Sequence, residues 1–326
     1  MKSVFCSKYG SPHVLQLREV NKPVPKPNEI LVKVHAASVT AADTMIRKGS
    51  PYFGRLFLGL MKPKNPVPGT GFSGVVESLG EDVKQFLEGD EVFGEIVLSV
   101  GTNAEYVCIP EDGLVARKPK NISHKEAAPV CDGALTSINF LKELAKIEKG
   151  QHVLIIGASG SLGTAAVQLA KHFGAKVTGV CSTSNKALVK ALGADQVIDY
   201  TKEDYTKSNQ QYDIVYDTVG KSSFPNCKNI LNNDGIYISP VLNLQLLFQM
   251  LVSPKKGKKA KFDATGLKSI PELKIMLSEL QKLLENGKLT TVIDKSYSLE
   301  EIVSAHEYVD TGRKKGNIVL DIHSQN

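Results

Sequence analysis

The sequence predicts an α/β protein with two domains, one a β-barrel and the other a doubly wound parallel sheet. Up to about residue 120 the chain shows short strand patterns separated by glycine and proline, which is typical of a compact barrel. From about residue 123 strand patterns alternate with helical ones, and this order predicts a parallel sheet. The 326 residues are enough for two domains of ordinary size.

The individual elements follow from periodicity and from turn residues. The first nine residues are strand-like, and further strands are predicted at 29–35, 72–79 and 90–96. In the second part we expect a buried strand at 153–156 and helices at 163–173, 186–192 and 223–231. Later elements are strands at 213–217 and 235–239, a helix at 270–286 ended by Gly287, and a closing strand at 317–321.

The turn after the strand at 153–156 is the most informative segment. Gly157, Gly160 and Gly163 connect this strand to an amphipathic helix. The first glycine permits a tight turn, the second lets the backbone approach a phosphate, and the third lets the helix pack closely on the strand. The helix N-terminus adds N–H groups and a partial positive charge. The spacing is G-x-x-G-x-x-G, and its place between strand and helix favours a dinucleotide site over a turn that binds nothing.

The next predicted strand indicates which nicotinamide cofactor is bound. An NAD site places Asp or Glu near the end of this strand, where the carboxylate takes the ribose hydroxyls. No acid occurs between Gly157 and Asp195, and Ser182 and Lys186 stand in that region instead. A hydroxyl and an ammonium suit a 2′-phosphate, so the sequence favours NADPH. The alternative is that Lys186 is an ordinary solvated lysine.

Composition indicates a soluble enzyme. Hydrophobic residues make up 42 % of the chain, charged residues 23 %, and the net charge is +6. No nucleic-acid-binding motif is present, so we expect no nucleic-acid partner. The five cysteines contain no C-x-x-C pair and are expected to be reduced thiols. With no signal-peptide pattern in the first residues, we expect a cytoplasmic protein.

Motifs along nearly the whole chain resemble those of the medium-chain dehydrogenase/reductase superfamily. The similarity is to its zinc-free quinone oxidoreductase branch, which includes ζ-crystallin-like proteins. The matching motifs lie at 37–43, 47–49, 68–76, 89–94, 104–107, 157–160, 192–195, 199–200, 217–220, 287–289 and 313–317. The resemblance implies a GroES-like catalytic domain formed by 1–122 and 266–326, and a Rossmann NADPH-binding domain formed by 123–265. It also implies a cofactor cleft between these domains and a homodimer.

The superfamily includes zinc alcohol dehydrogenases, and this chain differs from them at the zinc-ligand positions. Where zinc members carry a cysteine, this chain has Thr40, and where they carry His-Glu it has Thr70 and Gly71. A second ligand cysteine is replaced by Asp132. This set lacks the thiolate and imidazole ligands that zinc prefers, and the four-cysteine structural loop is absent. We therefore expect no metal, and a zinc alcohol dehydrogenase is a less favoured alternative.

The resemblance implies hydride transfer from NADPH to a quinone or an α,β-unsaturated carbonyl. Such acceptors are already electrophilic and need no Lewis acid. The family places residues corresponding to Thr40, Asp43 and Tyr52 near the substrate. Tyr52 is a candidate proton donor or an ordinary loop tyrosine, and Thr40 stands where related quinone reductases have Asn. For Asp43 we favour a structural role in which it accepts hydrogen bonds from backbone N–H groups.

Cofactor contacts also follow from the resemblance. The glycine turn is expected to bind the pyrophosphate through Ser159, Gly160, Ser161, Leu162 and Gly163. Tyr200 is expected to cover the 2′-phosphate, together with Ser182 and Lys186. At the nicotinamide end the expected contacts are Thr136 at the start of a linker helix, Ser239 and Asn317. Thr136 could also cap that helix.

The segment 241–261 has an unusual composition, because an apolar stretch is followed by a run of lysines. It is too short to span a membrane, which needs about 20 apolar residues. It could lie on an anionic membrane surface. The favoured interpretation is a segment of the substrate pocket and subunit interface, in which the lysine run forms a solvated loop. A competing function class is a non-enzymatic NADPH-binding or membrane-adaptor protein of the same family.

Overall fold

The computed structural model describes residues 1–50, 52, 55–96, 101–254 and 256–323. The chain divides into two units. Unit 1 contains Met1–Asp132, Ser269–Glu285 and Thr291–Asn326, and unit 2 contains Gly133–Lys268 and Asn286–Thr290. Unit 1 thus contains both ends of the chain, and the first division lies at 132/133, whereas the resemblance implied 122/123.

Strands from the first part of the chain form most of unit 1. They are β1 (Lys2–Cys6), β2 (Leu15–Glu19), β3 (Glu29–Val39), β4 (Gly71–Leu79), β5 (Glu91–Glu95), β6 (Tyr106–Pro110) and β7 (Val115–Arg117). Strands β1 and β2 pair with each other, and β3, β4, β5 and β7 are neighbours in that order. Two register shifts between β3 and β4 bend this sheet, as expected for a barrel.

Three short helices of unit 1 are α1 (Ala41–Lys48), α2 (Arg55–Leu58) and α3 (His124–Ala127). Helix α1 begins with a capping box, in which the side chains of Thr40 and Asp43 each accept the other residue's backbone N–H. It ends at Gly49, whose φ of 62° is a left-handed conformation that glycine adopts readily. Ser123 and Glu126 form a second capping box at the start of α3.

Unit 2 begins within α4 (Val130–Ile138), which continues into a π-helical segment at Asn139–Leu144. Strands then alternate with helices, as the sequence predicts. They are β8 (His152–Ile156), α5 (Ser161–His172), β9 (Lys176–Cys181), α6 (Lys186–Ala191), β10 (Gln196–Asp199), β11 (Tyr212–Asp217), α7 (Phe224–Cys227), β12 (Leu231–Ile238), α8 (Leu244–Val252) and β13 (Lys259–Lys261).

The sheet of unit 2 is parallel throughout its described pairs, in the order β10-β9-β8-β11-β12-β13. The chain moves outwards from β8 in one direction and then restarts at β11 in the other. The strand order therefore reverses between β8 and β11, and their carboxyl ends flank the crevice in which such sheets bind ligands. The predicted doubly wound α/β sheet is confirmed.

Two predicted elements differ from those observed. The helix predicted at 223–231 is limited to α7 and one 3₁₀ turn, and β12 already begins at Leu231. Ile230 and Leu231 are almost fully buried, so packing in the core overrides helical periodicity here. The lysine run was expected to be a loop, yet it contains β13, because Ala260 is buried where β13 pairs with β12. Lys255 lies outside the described residues.

The last part of the chain returns to unit 1 through α9 (Ile270–Glu285), β14 (Ile293–Ser298), α10 (Ile302–Asp310) and β15 (Asn317–Asp321). Strand β15 pairs with residues 36–39 of β3, which explains why β3 is longer than predicted. The core of unit 1 joins residues from both chain ends, such as Val4, Val34 and Ile318. Burial of this apolar surface holds the two ends together.

Helix α8 leaves part of its apolar surface uncovered. Leu244 and Leu251 are each more than four-fifths exposed, whereas Leu246 is buried. Leu247 and Phe248 add to the exposed face. In the part of the chain that the structure describes, helices do not reach the length and apolar character that crossing a membrane requires.

Candidate functional site

The glycine turn lies at the carboxyl end of β8, at the switch point of the unit 2 sheet. Gly157 has a φ of 78°, and a β-carbon added there would lie 2.7 Å from Val219, in the segment after β11. A β-carbon at Gly163 would lie 2.1 Å from the Gly157 carbonyl oxygen. At Gly160 an added β-carbon would meet only that same oxygen, at 3.5 Å, so the space beside Gly160 is open. The turn thus combines two positions that require glycine with one that leaves room for an anion.

The first turn of α5 completes this cradle. Gly160 is the N-cap, so the N–H groups of Leu162 and Gly163 in the first helical turn lack carbonyl partners within the helix. These N–H groups and the helix dipole favour an anionic group. The structure therefore brings together the turn residues that were predicted to bind the pyrophosphate.

Asn185 is a contributor that sequence reasoning missed. Its side-chain amide donates a hydrogen bond of 2.9 Å to the Ser159 hydroxyl, and both residues are buried. Asn185 is the N-cap of α6. The contact therefore connects the glycine turn to the segment that carries Ser182 and Lys186, and no sequence pattern indicates this pairing.

The predicted 2′-phosphate residues lie on one edge of the sheet. Ser182 directly follows β9, Lys186 is the exposed first residue of α6, and Tyr200 directly follows β10. The backbone N–H of Tyr200 donates to the Cys181 carbonyl at 3.2 Å, so the ends of the two strands are held together. Tyr200 is 58 % exposed, which leaves its ring available to cover a ligand.

Asp199 is an acid on this edge that sequence reasoning did not consider. It ends β10 opposite Cys181, but its carboxylate accepts hydrogen bonds from the hydroxyls of Thr183 (2.5 Å) and Thr201 (2.7 Å). These hydroxyls lower the pKa of Asp199. Its charge is thus satisfied within the protein, and a carboxylate at the end of β9 itself is still lacking. An acid two residues before a threonine is a recognisable turn signal.

Helix α4 lies beside the glycine turn, but Thr136 does not begin it. A β-carbon added at Gly133 would lie 2.8 Å from the Ser161 hydroxyl, and Ser137 donates a hydrogen bond of 2.9 Å to the Leu162 carbonyl. Thr136 is half-buried in the middle of α4, because the helix starts at Val130. The expected helix-start position was wrong, and Thr136 is not an N-cap.

Two further predicted cofactor residues are placed as follows. Ser239 directly follows β12, is buried, and accepts a hydrogen bond of 3.2 Å from the Val241 backbone. Asn317 begins β15 in unit 1, where its side-chain amide donates to the Val292 carbonyl at 3.0 Å. The structure thus assigns Asn317 at least one contact within its own unit.

In unit 1 the predicted substrate residues Thr40 and Asp43 are in direct contact. The Thr40 backbone N–H and hydroxyl donate to Oδ2 of Asp43 at 2.7 and 2.8 Å. The Gly69 backbone also lowers the pKa of this carboxyl group. Burial raises the pKa of Asp43 to about 6 against these hydrogen bonds, which lower it. The Thr40 hydroxyl is therefore used within the protein, and Asp43 has the structural contacts that the sequence analysis favoured.

Tyr52 does not share these contacts. It is 79 % exposed, and the Arg55 guanidinium lies 4.7 Å from the centre of its ring. This cation–π contact orients the ring, and the exposed position leaves the hydroxyl accessible. Residues on both sides of Tyr52, at 51 and 53–54, lie outside the described part of the chain.

Three carboxyl side chains of unit 1 form a cluster that the sequence does not predict. Asp43, Glu95 and Asp132, which we call the acidic centre, interact electrostatically. Burial raises the pKa of Glu95 to about 8, and the carboxyl groups of Asp132 and Asp43 add to this rise. Burial, together with Glu95 and Asp132, also raises the pKa of the Cys131 thiol well above its ordinary value. These acids lie far apart in the sequence, so only the fold reveals that they meet.

The positions that bind zinc in related dehydrogenases are in the same region. Thr40, Thr70 and Asp132 supply hydroxyl and carboxyl groups there, without a thiol or an imidazole. Among the residues that the structure describes, no three His, Cys, Asp or Glu side chains are arranged so that they could hold a metal ion.

Comparison with known proteins identifies the family. A model described as "Alcohol dehydrogenase GroES-like domain" matches residues 26–120, and one described as "Zinc-binding dehydrogenase" matches residues 192–320. The chain is 35 % identical to the 2-methylene-furan-3-one reductase of Solanum lycopersicum, over 98 % of this chain and 79 % of that protein. It is 32 % identical to the quinone oxidoreductase of Sus scrofa, over 98 % and 97 % of the two chains. The chain belongs to the medium-chain dehydrogenase/reductase superfamily.

Solved structures agree with this membership and with the quinone oxidoreductase branch. The quinone oxidoreductase from Coxiella burnetii matches with a TM-score of 0.87 and 32 % identity, over 99 % of each chain. The Escherichia coli quinone oxidoreductase complexed with NADPH matches with a TM-score of 0.83 and 26 % identity, over 98 % of this chain and 100 % of that chain. The predicted family and its GroES-like and Rossmann architecture are confirmed.

Proposed function

We propose that this member of the superfamily is a zinc-independent oxidoreductase that transfers hydride from NADPH to a quinone or an α,β-unsaturated carbonyl. The observation that carries the proposal is the glycine cradle at the switch point, with an open space beside Gly160. The names of the relatives support it, because they include a quinone oxidoreductase and an NADPH-dependent alkenal/one oxidoreductase.

The residues of unit 2 fit NADPH. The N-terminus of α5 suits the pyrophosphate, and Ser182, Lys186 and Tyr200 suit the 2′-phosphate. Thr136 and Ser239 are candidates for the nicotinamide end in this unit, and Asn317 in unit 1. The carboxylate of Asp199 accepts hydrogen bonds from two threonine hydroxyls. It therefore repels a phosphate less strongly than a free carboxylate would.

When bound, NADPH supplies the hydride. The chain's own residues then hold the acceptor and supply a proton to its reduced oxygen or carbon. Zinc independence rests on the hydroxyl and carboxyl groups at Thr40, Thr70 and Asp132, which are poor replacements for thiolate and imidazole ligands.

The experiment is direct. Purified protein is mixed with NADPH and with each member of a panel of quinones and enones. Oxidation of NADPH is measured as the loss of reduced-nicotinamide absorbance, and the zinc content of the protein is measured in parallel. Oxidation of NADPH that survives removal of trace metal supports the proposal. Binding of NADPH without turnover of any acceptor would favour a non-enzymatic binding protein, and stoichiometric zinc required for activity would favour an alcohol dehydrogenase.

We further propose a homodimer in which the exposed face of α8 is covered by the second copy. Leu244, Phe248 and Leu251 are exposed there, and β13 is an edge strand nearby in unit 2. Light scattering on the purified protein tests this, and a monomer at micromolar concentration would contradict it. We also propose a cytoplasmic location, which the five free cysteines support because disulfides are rare in that compartment. Fractionation of cells tests this location.

A further inference from the structure

Asp199 is an acid that the fold brings to the edge of the unit 2 sheet where Ser182 and Tyr200 lie. It ends β10 and is directly opposite Cys181, the last residue of β9, in the parallel pairing of these strands. An NAD site carries a carboxylate at the end of its second strand, where it takes the ribose hydroxyls. In this chain the neighbouring strand thus carries the type of group that distinguishes an NAD site from an NADPH site.

Two threonines occupy the carboxylate of Asp199. Thr183 donates its hydroxyl to Oδ2 at 2.5 Å, and Thr201 donates its hydroxyl and its backbone N–H to Oδ1, at 2.7 and 3.1 Å. The two threonine hydroxyl oxygens are 3.2 Å apart. We call Thr183, Asp199 and Thr201 the threonine clamp. Both carboxylate oxygens are therefore engaged within the protein, through hydrogen bonds of the strong, charge-assisted kind.

The threonine clamp covers the carboxylate from the solvent side. Asp199 is 1 % exposed, whereas Thr183 and Thr201 are both exposed. The two hydroxyls lower the pKa of Asp199, so the covered carboxylate is charged at neutral pH. A ligand that approaches this edge from solvent therefore meets the threonines before it meets the charge.

Each threonine of the clamp is next to a residue that suits the 2′-phosphate. Thr183 directly follows Ser182, and Thr201 directly follows Tyr200. The clamp therefore joins the two stretches of chain that flank the expected position of the phosphate. The hydrogen bonds to Asp199 hold these stretches together.

The Cys181 thiol shows which charges act at the end of β9. Burial raises the pKa of this thiol to about 11, the Asp199 carboxylate adds to the rise, and the Lys186 ammonium opposes it. Both charges are thus felt at the same position. Because opposite charges attract, a carboxylate released from the clamp would compete with a phosphate for Lys186.

We propose that Thr183 and Thr201 are specificity-determining residues of the cofactor site. By holding the Asp199 carboxylate within the clamp, they keep it from accepting the ribose hydroxyls of NADH and from repelling the 2′-phosphate of NADPH. The inference rests on the proposed function and adds the residues that suppress an NAD-type contact. The competing explanation is that the clamp only fixes the end of β10.

The test replaces each threonine of the clamp by valine, which has nearly the same shape but no hydroxyl. Thr206→Val is the matched control, because Thr206 donates its hydroxyl and backbone N–H to Asp204 at 2.6 and 3.0 Å. Asp204 is exposed and lies outside the clamp. Fluorescence titrations give the dissociation constants of NADPH and NADH, whose ratio is the readout, and melting temperatures report whether each variant is folded.

In the double variant T183V/T201V we expect the dissociation constant of NADPH to rise about tenfold, while that of NADH stays the same or falls. The reason is that Asp199 loses two hydroxyl donors, so its carboxylate can accept the ribose hydroxyls and repels the phosphate. T183V and T201V alone should change the ratio in the same direction by smaller factors. T206V should keep the ratio of the wild type.

Asp199→Asn in the double variant separates a role in specificity from a structural one. An amide carries no charge that repels a phosphate, so this triple variant should regain most of the affinity for NADPH. A clamp that only fixes the end of β10 would give equal losses for both cofactors, and D199N would not restore binding. If the double variant does not fold, each single threonine variant with and without D199N provides the same comparison.

The outcomes separate the two proposals. If the wild type binds NADH as tightly as NADPH, or binds neither, the proposed cofactor fails, and the role of the clamp fails with it. If the wild type prefers NADPH and T183V/T201V keeps its ratio, Thr183 and Thr201 do not determine specificity, and the proposed function stands. The same conclusion follows if both cofactors weaken equally or if D199N does not restore NADPH binding.

Discussion

Substitution of the glycines at 160 and 163 should separate folding from cofactor binding. In Gly163→Ala the new methyl group would lie 2.1 Å from the Gly157 carbonyl oxygen and 2.7 Å from the Ala158 α-carbon. Both contacts are with backbone, which cannot rotate away as a side chain can. Overpacking of this kind costs about 1–3 kcal/mol. Alanine recovers about 0.5–1 kcal/mol of helix propensity, so the midpoints of the two ranges give a net loss of about 1 kcal/mol.

Gly160→Ala should behave differently. Its methyl group would meet only the Gly157 oxygen at 3.5 Å, an ordinary contact, but it would occupy the open space that we assign to the pyrophosphate. We expect a melting temperature within about 2 °C of the wild type and an NADPH affinity at least about tenfold lower, which corresponds to about 1.4 kcal/mol.

The assay is thermal unfolding combined with a fluorescence titration of NADPH. Gly266→Ala is the control, because a β-carbon there meets nothing within 4 Å and lies outside the turn. For Gly163→Ala the melting temperature should fall by about 2–4 °C and NADPH binding should also weaken. The reasoning is refuted if Gly163→Ala is as stable as the wild type, or if Gly160→Ala binds NADPH with unchanged affinity.

Three further predictions follow from particular side chains. Lys186→Ala should weaken binding of NADPH, by about 1 kcal/mol or more, while NADH binding changes little; equal effects in parallel titrations would argue against a 2′-phosphate contact. Asn185→Ala should weaken NADPH binding through loss of the 2.9 Å hydrogen bond to Ser159, whereas exposed Lys190→Ala should not. Burial lowers the pKa of His306 to about 3, so its stabilising effect is complete above its unfolded pKa of about 6.5 and is lost as the pH falls towards 3. His306→Asn should therefore reduce the slope of the unfolding free energy against pH by up to about 1.4 kcal/mol per pH unit between about pH 4 and 6. The unfolding free energy is measured by denaturant titration at several pH values. The same pH dependence in the variant and the wild type would contradict this prediction.

The chemistry of the cofactor site could be predicted because it depends on local sequence. A strand, a turn with glycines and a helix are consecutive in the chain, so residues 153–171 define the cradle without help from the rest of the protein. The position of Lys186 shortly after β9, at the start of α6, follows from the same local order. Asn185, in contrast, meets Ser159 across 26 residues, and no periodic pattern records such a contact.

Packing in the core competes with local sequence preference in two segments whose structure differs from the prediction. The segment 223–231 has helical periodicity, yet Ile230 and Leu231 enter the core and the chain becomes a strand. Lysines at 259 and 261 suggest a loop, but buried Ala260 between them lets the segment join the sheet. The resemblance alone placed Thr136 at a helix start, whereas α4 begins at Val130.

The sequence by itself determined the fold class, the family and the preference for NADPH, because these depend on residues that are close together in the chain or that form recognisable motifs. Tertiary structure alone decided the acidic centre. Asp43, Glu95 and Asp132 come from α1, β5 and α4, and each by itself is an unremarkable acid. Their proximity and the burial that raises the pKa of Glu95 arise only when distant segments pack together, because burial and charge interaction depend on distance in space.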